Sequence, residues 1–456
     1  MAKKLNDWLD EFVENGADAT DVINWPENAG GGSDSGSETE LLNSIVDGSV
    51  TSVTLDVSTI RQSAFSYCTN LTKADFRNAT TIGDEAFSNC TSLNDIKFPN
   101  VTSVGDDAFE YCASLTEVSF PNATSIGDNA FEYCTNLTEA NLPNVTDLGD
   151  SVFYHCTNLT EANIPSITEI PSNTFDSCTN LTEANFPNIT TIYSRAFSGC
   201  TNLRNINFPN VTEIGSGAFV GCTSLTELTE EKFPSLETLG GGAFSGCTYL
   251  TEVNLPNITH INDGTFQGCS RLEDVTFSNV TSIQGAPFSN CTSLTELTDE
   301  MFPNLTTITG SGAFNGCRGL TTVELSNLTR IDGAIFPYCT NLTTVKLSST
   351  TYIGAGAFGG CSNLTTVELD SATRINNGAF SGCVNLNSIT LGADSVCAID
   401  SPNAIYSGQQ DLTVYVPSDL IDDYQNATNW SILYNNNYVT FEAMSDDGGS
   451  GSYSGS

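Results

Sequence analysis

Between Phe65 and Leu386 the chain repeats one apolar frame fifteen times: a Phe, a Cys three residues later and a Leu three after that. The cysteines fall at 68, 90, 112, 134, 156, 178, 200, 222, 247, 269, 291, 317, 339, 361 and 383; twelve of the fourteen intervals are 22 residues and the other two are 25 and 26. One period shows how the pattern builds structure. Leu137, Ala140 and Leu142 point inward while Thr138, Glu139 and Asn141 between them face solvent, which predicts a short strand. Pro143 ends that strand because it has no N–H for a ladder, and Pro99, Pro121, Pro165, Pro187, Pro209 and Pro256 recur at the same place. A second apolar cluster, Val145, Leu148, Val152 and Phe153, predicts a shorter extended piece, a turn at Gly149 and a Phe dropped into the interior. A repeat of this length means a β-rich solenoid, whose turns bury their apolar faces only by stacking. With turns about 4.8 Å apart, the stack is expected to form a rod on the order of 70 Å long.

The segments outside the frame divide the rest of the chain. Residues 1–27 read as an amphipathic docking peptide: Leu5, Trp8, Leu9, Phe12 and Val13 share one helical face, and Trp25 follows shortly after. The alternative is that this peptide folds back and caps the first turn. Residues 28–40 form a Gly/Ser linker, 41–397 the solenoid, 398–444 a C-terminal cap and 445–456 a disordered Gly/Ser-rich tail. In the cap, Leu412–Pro417 predicts a last strand and the following residues a short helix. Ser418 or Asp419 is its expected N-cap, and Leu420, Tyr424 and Trp430 are its packing face.

Charge and chemistry narrow the function. Fifty-four acids against fourteen bases give a net charge of -40, which argues against nucleic acid or an anionic membrane as partner. No run of eighteen apolar residues predicts membrane insertion, and the N-terminus lacks the apolar stretch of a secretory signal. The start suggests export by another route, a trimmed signal being the alternative. Sixteen cysteines without any C-x-x-C make a column of single thiols, not converging metal ligands, so neither a metal nor a cofactor is expected. Buried, weakly hydrogen-bonding thiols are the expectation, with Cys397, outside the frame, the one to test for reactivity. The two histidines, His155 and His260, are 105 residues apart, and no nucleophile elbow or phosphate loop is present, so the chain reads as non-enzymatic.

The L-x-x-V-x-L-P-N-V-T-x-I-G-x-x-A-F-x-x-C turn resembles the BspA-like (Treponema pallidum type) leucine-rich repeats, and Val414–Trp430 is similar to the segment that often closes them. The resemblance spans roughly residues 50 to 440. It implies a non-enzymatic surface or secreted protein that adheres to host proteins or cells. The N-terminal peptide with its linker resembles short virion-anchoring segments of phage structural proteins, over fewer than forty residues.

Two surfaces are candidates for binding. The position five after each Cys is acidic in nine of fifteen turns: Asp95, Glu117, Glu139, Glu161, Glu183, Glu227, Glu252, Asp274 and Glu296. With Asn141, Asn163 and Asn185 beside them, these residues predict a flat polar sheet face suited to an extended host-surface protein or glycan. The face lacks aromatic platforms for sugar stacking. The acid column is either solvated or neutralised by a basic partner or cations. The second candidate is the pair of longer turns, with insertion loops at Glu230, Glu231 and Lys232 and at Asp299, Glu300 and Met301. Their similarity also fits duplication of a three-turn block. The resulting expectation is a virion appendage, extracellular, that docks to a virion or scaffold protein through residues 1–27 and presents the solenoid to a host. The alternative is a secreted or cell-surface adhesin of a host-associated microbe.

Overall fold

The structure is a computed structural model that describes residues 49–406, 408 and 411–444. The docking peptide with Leu5, Trp8, Leu9, Phe12 and Trp25, the linker, any N-terminal cap and the tail from 445 lie outside the described residues. The chain divides into two compact units, one reaching to Leu225 and taking in Glu231–Ser235, the other made of Thr226–Glu230 and the chain from Leu236 onward. Both are β-solenoids built of the expected turn.

In the first unit the Leu-x-x-Ala-x-Leu segments form three-residue strands such as Glu117–Ser119, Glu139–Asn141 and Glu161–Asn163. They pair in parallel without offset, Glu117 with Glu139 and Glu139 with Glu161. The second cluster forms two-residue strands, Ser125–Ile126 and Asp147–Leu148 among them, in the same matched register. Each residue therefore lies over its counterpart one repeat earlier. The corner that carries the Phe is a third ladder: the amides of Asn129, Phe131 and Tyr133 donate to the carbonyls of Asp150, Val152 and Tyr154 at 2.8–2.9 Å. Those amides can all point along the stack because the residues two before and two after the Phe are left-handed, φ 54° at Asn129 and 56° at Tyr133. At the preceding turn, a Cβ on Gly127 would sit 2.6 Å from the Asp106 amide nitrogen, so the backbones meet there too closely for a side chain.

The interior is a set of columns. Phe65, Phe87, Phe109, Phe131, Phe153, Phe175, Phe197 and Phe219 stack face to face at 5.2–5.6 Å. Beside them the buried thiols from Cys90 onward donate to the Phe carbonyl of the preceding turn, as Cys134 does to Phe109 at 3.2 Å and Cys156 to Phe131 at 3.1 Å. Threonines on the surface donate to the carbonyl of the threonine below, Thr138 to Thr116 at 2.8 Å and Thr160 to Thr138 at 3.0 Å. Polar residues thus close the ladders where the apolar columns end.

The second unit repeats these features: its Phe column runs from Phe244 to Phe380 at 5.2–6.0 Å. Its last strands differ from expectation. Leu412–Val416 pairs with Ser388–Leu391, and a further strand, Val439–Ala443, pairs in parallel with Leu412–Val416. Between them stand two short helices, α1 (Ile421–Asn426) and α2 (Trp430–Asn435). Neither Ser418 nor Asp419 caps a helix. Both lie in a 3-10 turn, and α1 begins after Leu420 with no side-chain cap. The 3-10 turn leads directly into α1, so these residues precede the helix by a turn. Tyr424 and Trp430 are buried as expected and Leu420 is half-buried. Trp430 Nε1 donates to the Cys397 carbonyl at 2.7 Å, and the Cys397 amide donates to the Tyr424 hydroxyl at 2.9 Å. Burial pushes the Cys397 thiol up to about 12, which removes it from the reactive range.

Two outcomes follow from these columns. All sixteen thiols are buried, so Ellman's reagent should label none in the native protein and all sixteen after denaturation, as counted by absorbance. Phe131→Ala leaves a gap between Phe109 and Phe153 and should cost about 3–5 kcal/mol in urea unfolding; a loss below about 1 kcal/mol would show that the column collapses around it.

Candidate functional site

On the long-strand face of the first unit, Glu117, Glu139, Glu161 and Glu183 are exposed, and the register stacks the first three directly. Among the described residues no ion pair neutralises these four. One column over, Asn163 donates to the Asn141 side-chain carbonyl at 2.8 Å and Asn207 to Asn185 at 3.1 Å. The amides satisfy one another while the carboxylates only repel, so this face has free acceptors and a negative field. In the second unit, Glu227, Glu252, Asp274 and Glu296 continue the acidic pattern, and the position then becomes Thr322, Thr344 and Thr366. There Lys346 pairs with Glu324 at 3.2 Å, and Glu324 and then Glu368 hold its ammonium pKa up.

The insertion loops are tied into the ladders. In the longer turn of the second unit, the Phe277 amide donates to Met301 at 2.9 Å, and Phe302 stacks on Phe277 at 5.4 Å. Asp299 accepts from the Ser326 amide at 2.8 Å, and Glu300 is exposed. Met301 thus occupies the ladder place that a strand residue fills elsewhere. In the first unit Lys232 does the same, its carbonyl accepting from Phe208 at 3.3 Å, and Glu231 beside it is exposed. Glu230, assigned to the second unit, is exposed as well.

The corner ladder of the first unit carries a group of residues that the strand pattern did not single out. Tyr111 stacks on Tyr133 at 4.6 Å and Tyr133 on His155 at 4.8 Å, both nearly parallel, and Tyr154 meets both Tyr133 and His155 edge-on. With Glu132, Ser151, Asn173, Asp176 and Arg195 the three tyrosines line an open cleft of about 470 Å³. Asp176 is buried, bonded to Ser177 at 2.9 Å and to Arg195 at 3.1 Å. The signal was present in the sequence as Glu-Tyr-Cys, Glu-Tyr-Cys and Tyr-His-Cys in consecutive periods, at a position that is mostly glycine from Gly199 on, Asn290 and Tyr338 being the exceptions. His155, set aside as non-catalytic, is a stacking partner.

Matches to the BspA type leucine rich repeat region cover residues 58–182, 168–295 and 295–410. The chain belongs to this family. A leucine-rich repeat protein from Bacteroides ovatus is 30% identical, with 69% of this chain and 82% of that chain covered and a TM-score of 0.63. The Treponema pallidum leucine-rich repeat protein shares 24% identity over 43% of this chain and 72% of its own, with a TM-score of 0.25. A leucine-rich cell surface protein from Faecalibacterium prausnitzii shares 24% over 75% and 87%, with a TM-score of 0.38. No curated protein matches the chain. The BspA-type fold is typically that of binding proteins, and among the described residues no helix is long and apolar enough to cross a membrane.

The electrostatics of the corner distinguish it from other BspA-type turns of the chain. Burial, then Glu110 and Asp107, push the Glu132 carboxyl up to about 7. Glu110 is raised by burial, Asp107 and Glu85, against a lowering bond from Ser88. Asp107 is raised by burial and by Glu85, Asp106 and Asp128, against a lowering bond from Asn129. A carboxyl raised in the fold favours folding while protonated, so this contribution is whole below the ordinary carboxyl range and is lost as pH rises through about 7. Thermal melts should therefore lie higher at about pH 5 than at about pH 8, and Glu132→Gln should raise the melting point at pH 8 by about 1–3 °C. An unchanged difference between the two pH values in that variant would assign the dependence to other acids.

Proposed function

We propose that this BspA-type repeat protein is a non-enzymatic binding protein, and that the long-strand face of the first unit holds a basic, extended segment of a protein on a host surface. The observation that carries the reading is the in-register stack of Glu117, Glu139 and Glu161, which no ion pair among the described residues offsets. Like charges at strand spacing oppose folding by roughly 0.2–1 kcal/mol a pair, and a basic partner would reverse that sign. The neighbouring Asn141, Asn163 and Asn185 supply hydrogen-bonding groups for a polar backbone or a glycan.

The setting that fits this reading is extracellular: a secreted or cell-surface adhesin of a host-associated microbe. Family membership and the Bacteroides ovatus relative support it. A virion appendage anchored through residues 1–27 is the second setting. It rests on the apolar face of Leu5, Trp8, Leu9 and Phe12 and on Trp25 ahead of a glycine-rich tether. Fractionating a source culture into cells, medium and density-purified particles separates the two, since a fixed ratio to capsid protein belongs only to an appendage.

The face itself is tested by reversing charge at Glu139, Glu161 and Glu183 together. The triple Lys variant should keep the wild-type far-ultraviolet spectrum and melting behaviour but lose about tenfold or more in binding to host cells at physiological salt. Unchanged cell binding by a folded variant would remove the face from the function.

A further inference from the structure

Both left-handed positions of the corner are conformations that glycine adopts without cost. In the first unit Gly199 and Gly221 occupy the position after the Phe with φ 71° and 70°. In the four turns before Gly199 the same position holds Tyr111, Tyr133, His155 and Ser177, the first three with φ 57°, 56° and 56°. A bulky residue there costs on the order of 1 kcal/mol relative to glycine. The rings do not recover that cost by burial, since Tyr111 is 40% exposed and Tyr133 and His155 are only half-buried. Stacking of the rings on one another returns part of the cost, but at Gly199 and Gly221 the turn closes without a ring.

The charges around the rings are one-sided. Among the described residues Arg195 is the only cation lining the cleft, and it is already engaged by the buried Asp176. Glu132 lines the cleft with the tyrosines, and Glu110 and Asp107 lie close enough to repel its charged form, so a cation placed there would favour the ionised carboxylate that the free cleft disfavours. We infer that the cleft of Tyr111, Tyr133, Tyr154 and Glu132 is a second recognition site, which takes a lysine or arginine side chain of a protein partner. The aliphatic stem would lie along the open edges of the stacked tyrosine rings and the cationic head would meet Glu132. This combination of aromatic surface with an uncompensated carboxylate selects a cation over a neutral group, because a neutral group would leave the Glu132–Glu110 repulsion in place. The site is on the corner ladder, apart from the long-strand face, and does not depend on the function assigned to that face.

The test uses the full chain and a fluorescein-labelled, glycine-flanked tri-lysine peptide, followed by anisotropy at about 0.15 M salt so that long-range attraction to the acidic chain is screened. Glu132→Gln and Tyr133→Gly should each weaken binding about fivefold or more. Tyr133→Gly should change the melting point little, since the backbone strain it relieves offsets the stacking it removes. Asp147→Asn, in the short-strand sheet, should leave affinity unchanged, and a tri-glutamine peptide should not bind. Equal losses in Asp147→Asn and Glu132→Gln would reduce the effect to general attraction and overturn the site. So would unaltered binding in Tyr133→Gly, or no binding of the lysine peptide to the wild-type chain.

Discussion

Parallel stacking without offset is the constraint on which everything else in each unit depends. A turn of fixed length brings each side chain over the equivalent one in the preceding turn, so whatever a position holds is multiplied along a column. Groups that attract their own kind gain from this. Phenyl rings stack at 5.2–5.6 Å, side-chain amides pair, and thiols and hydroxyls find the carbonyl one turn away. None of these contacts is strong alone, a hydrogen bond contributing about 1 kcal/mol net. Their repetition replaces the large three-dimensional core of a globular domain.

Charged groups lose by the same rule, since a column of one sign is a column of repulsions. The two places where the first unit keeps such columns, the glutamates of the long strands and the corner acids near Glu132, are therefore departures from what stability alone favours. Elsewhere the same geometry is resolved internally: Lys73 pairs with Asp95 in the acidic column, and two residues further along the strands of the second unit Lys346 is set between Glu324 and Glu368. That contrast shows that the repeat tolerates a neutralised face, which makes the unneutralised ones informative.

The corner adds a conformational version of the argument. A ladder through a bend needs alternating left-handed residues, and glycine meets that need at Gly199 and Gly221. Where Tyr111, Tyr133 and His155 take the same conformation, sequence and backbone preference disagree, and such disagreements are where function is expected.

The repeat frame, the strand residues, the inward Phe and Cys columns and the acidic strand position were all legible in the sequence, because each depends only on spacing. A fixed period with alternating apolar positions leaves one way to bury Leu137, Ala140 and Leu142, and the Glu column follows from it. What spacing does not encode is how backbones meet across turns. The corner ladder, with its left-handed residues, decides that Tyr111, Tyr133 and Tyr154 share one cleft with Glu132, and that His155 stacks on Tyr133. Pairing at the end of the stack likewise decides that Val439–Ala443 becomes the last strand and that Ser418 and Asp419 form a 3-10 turn. These features come from contacts between turns, which only the stacked structure determines.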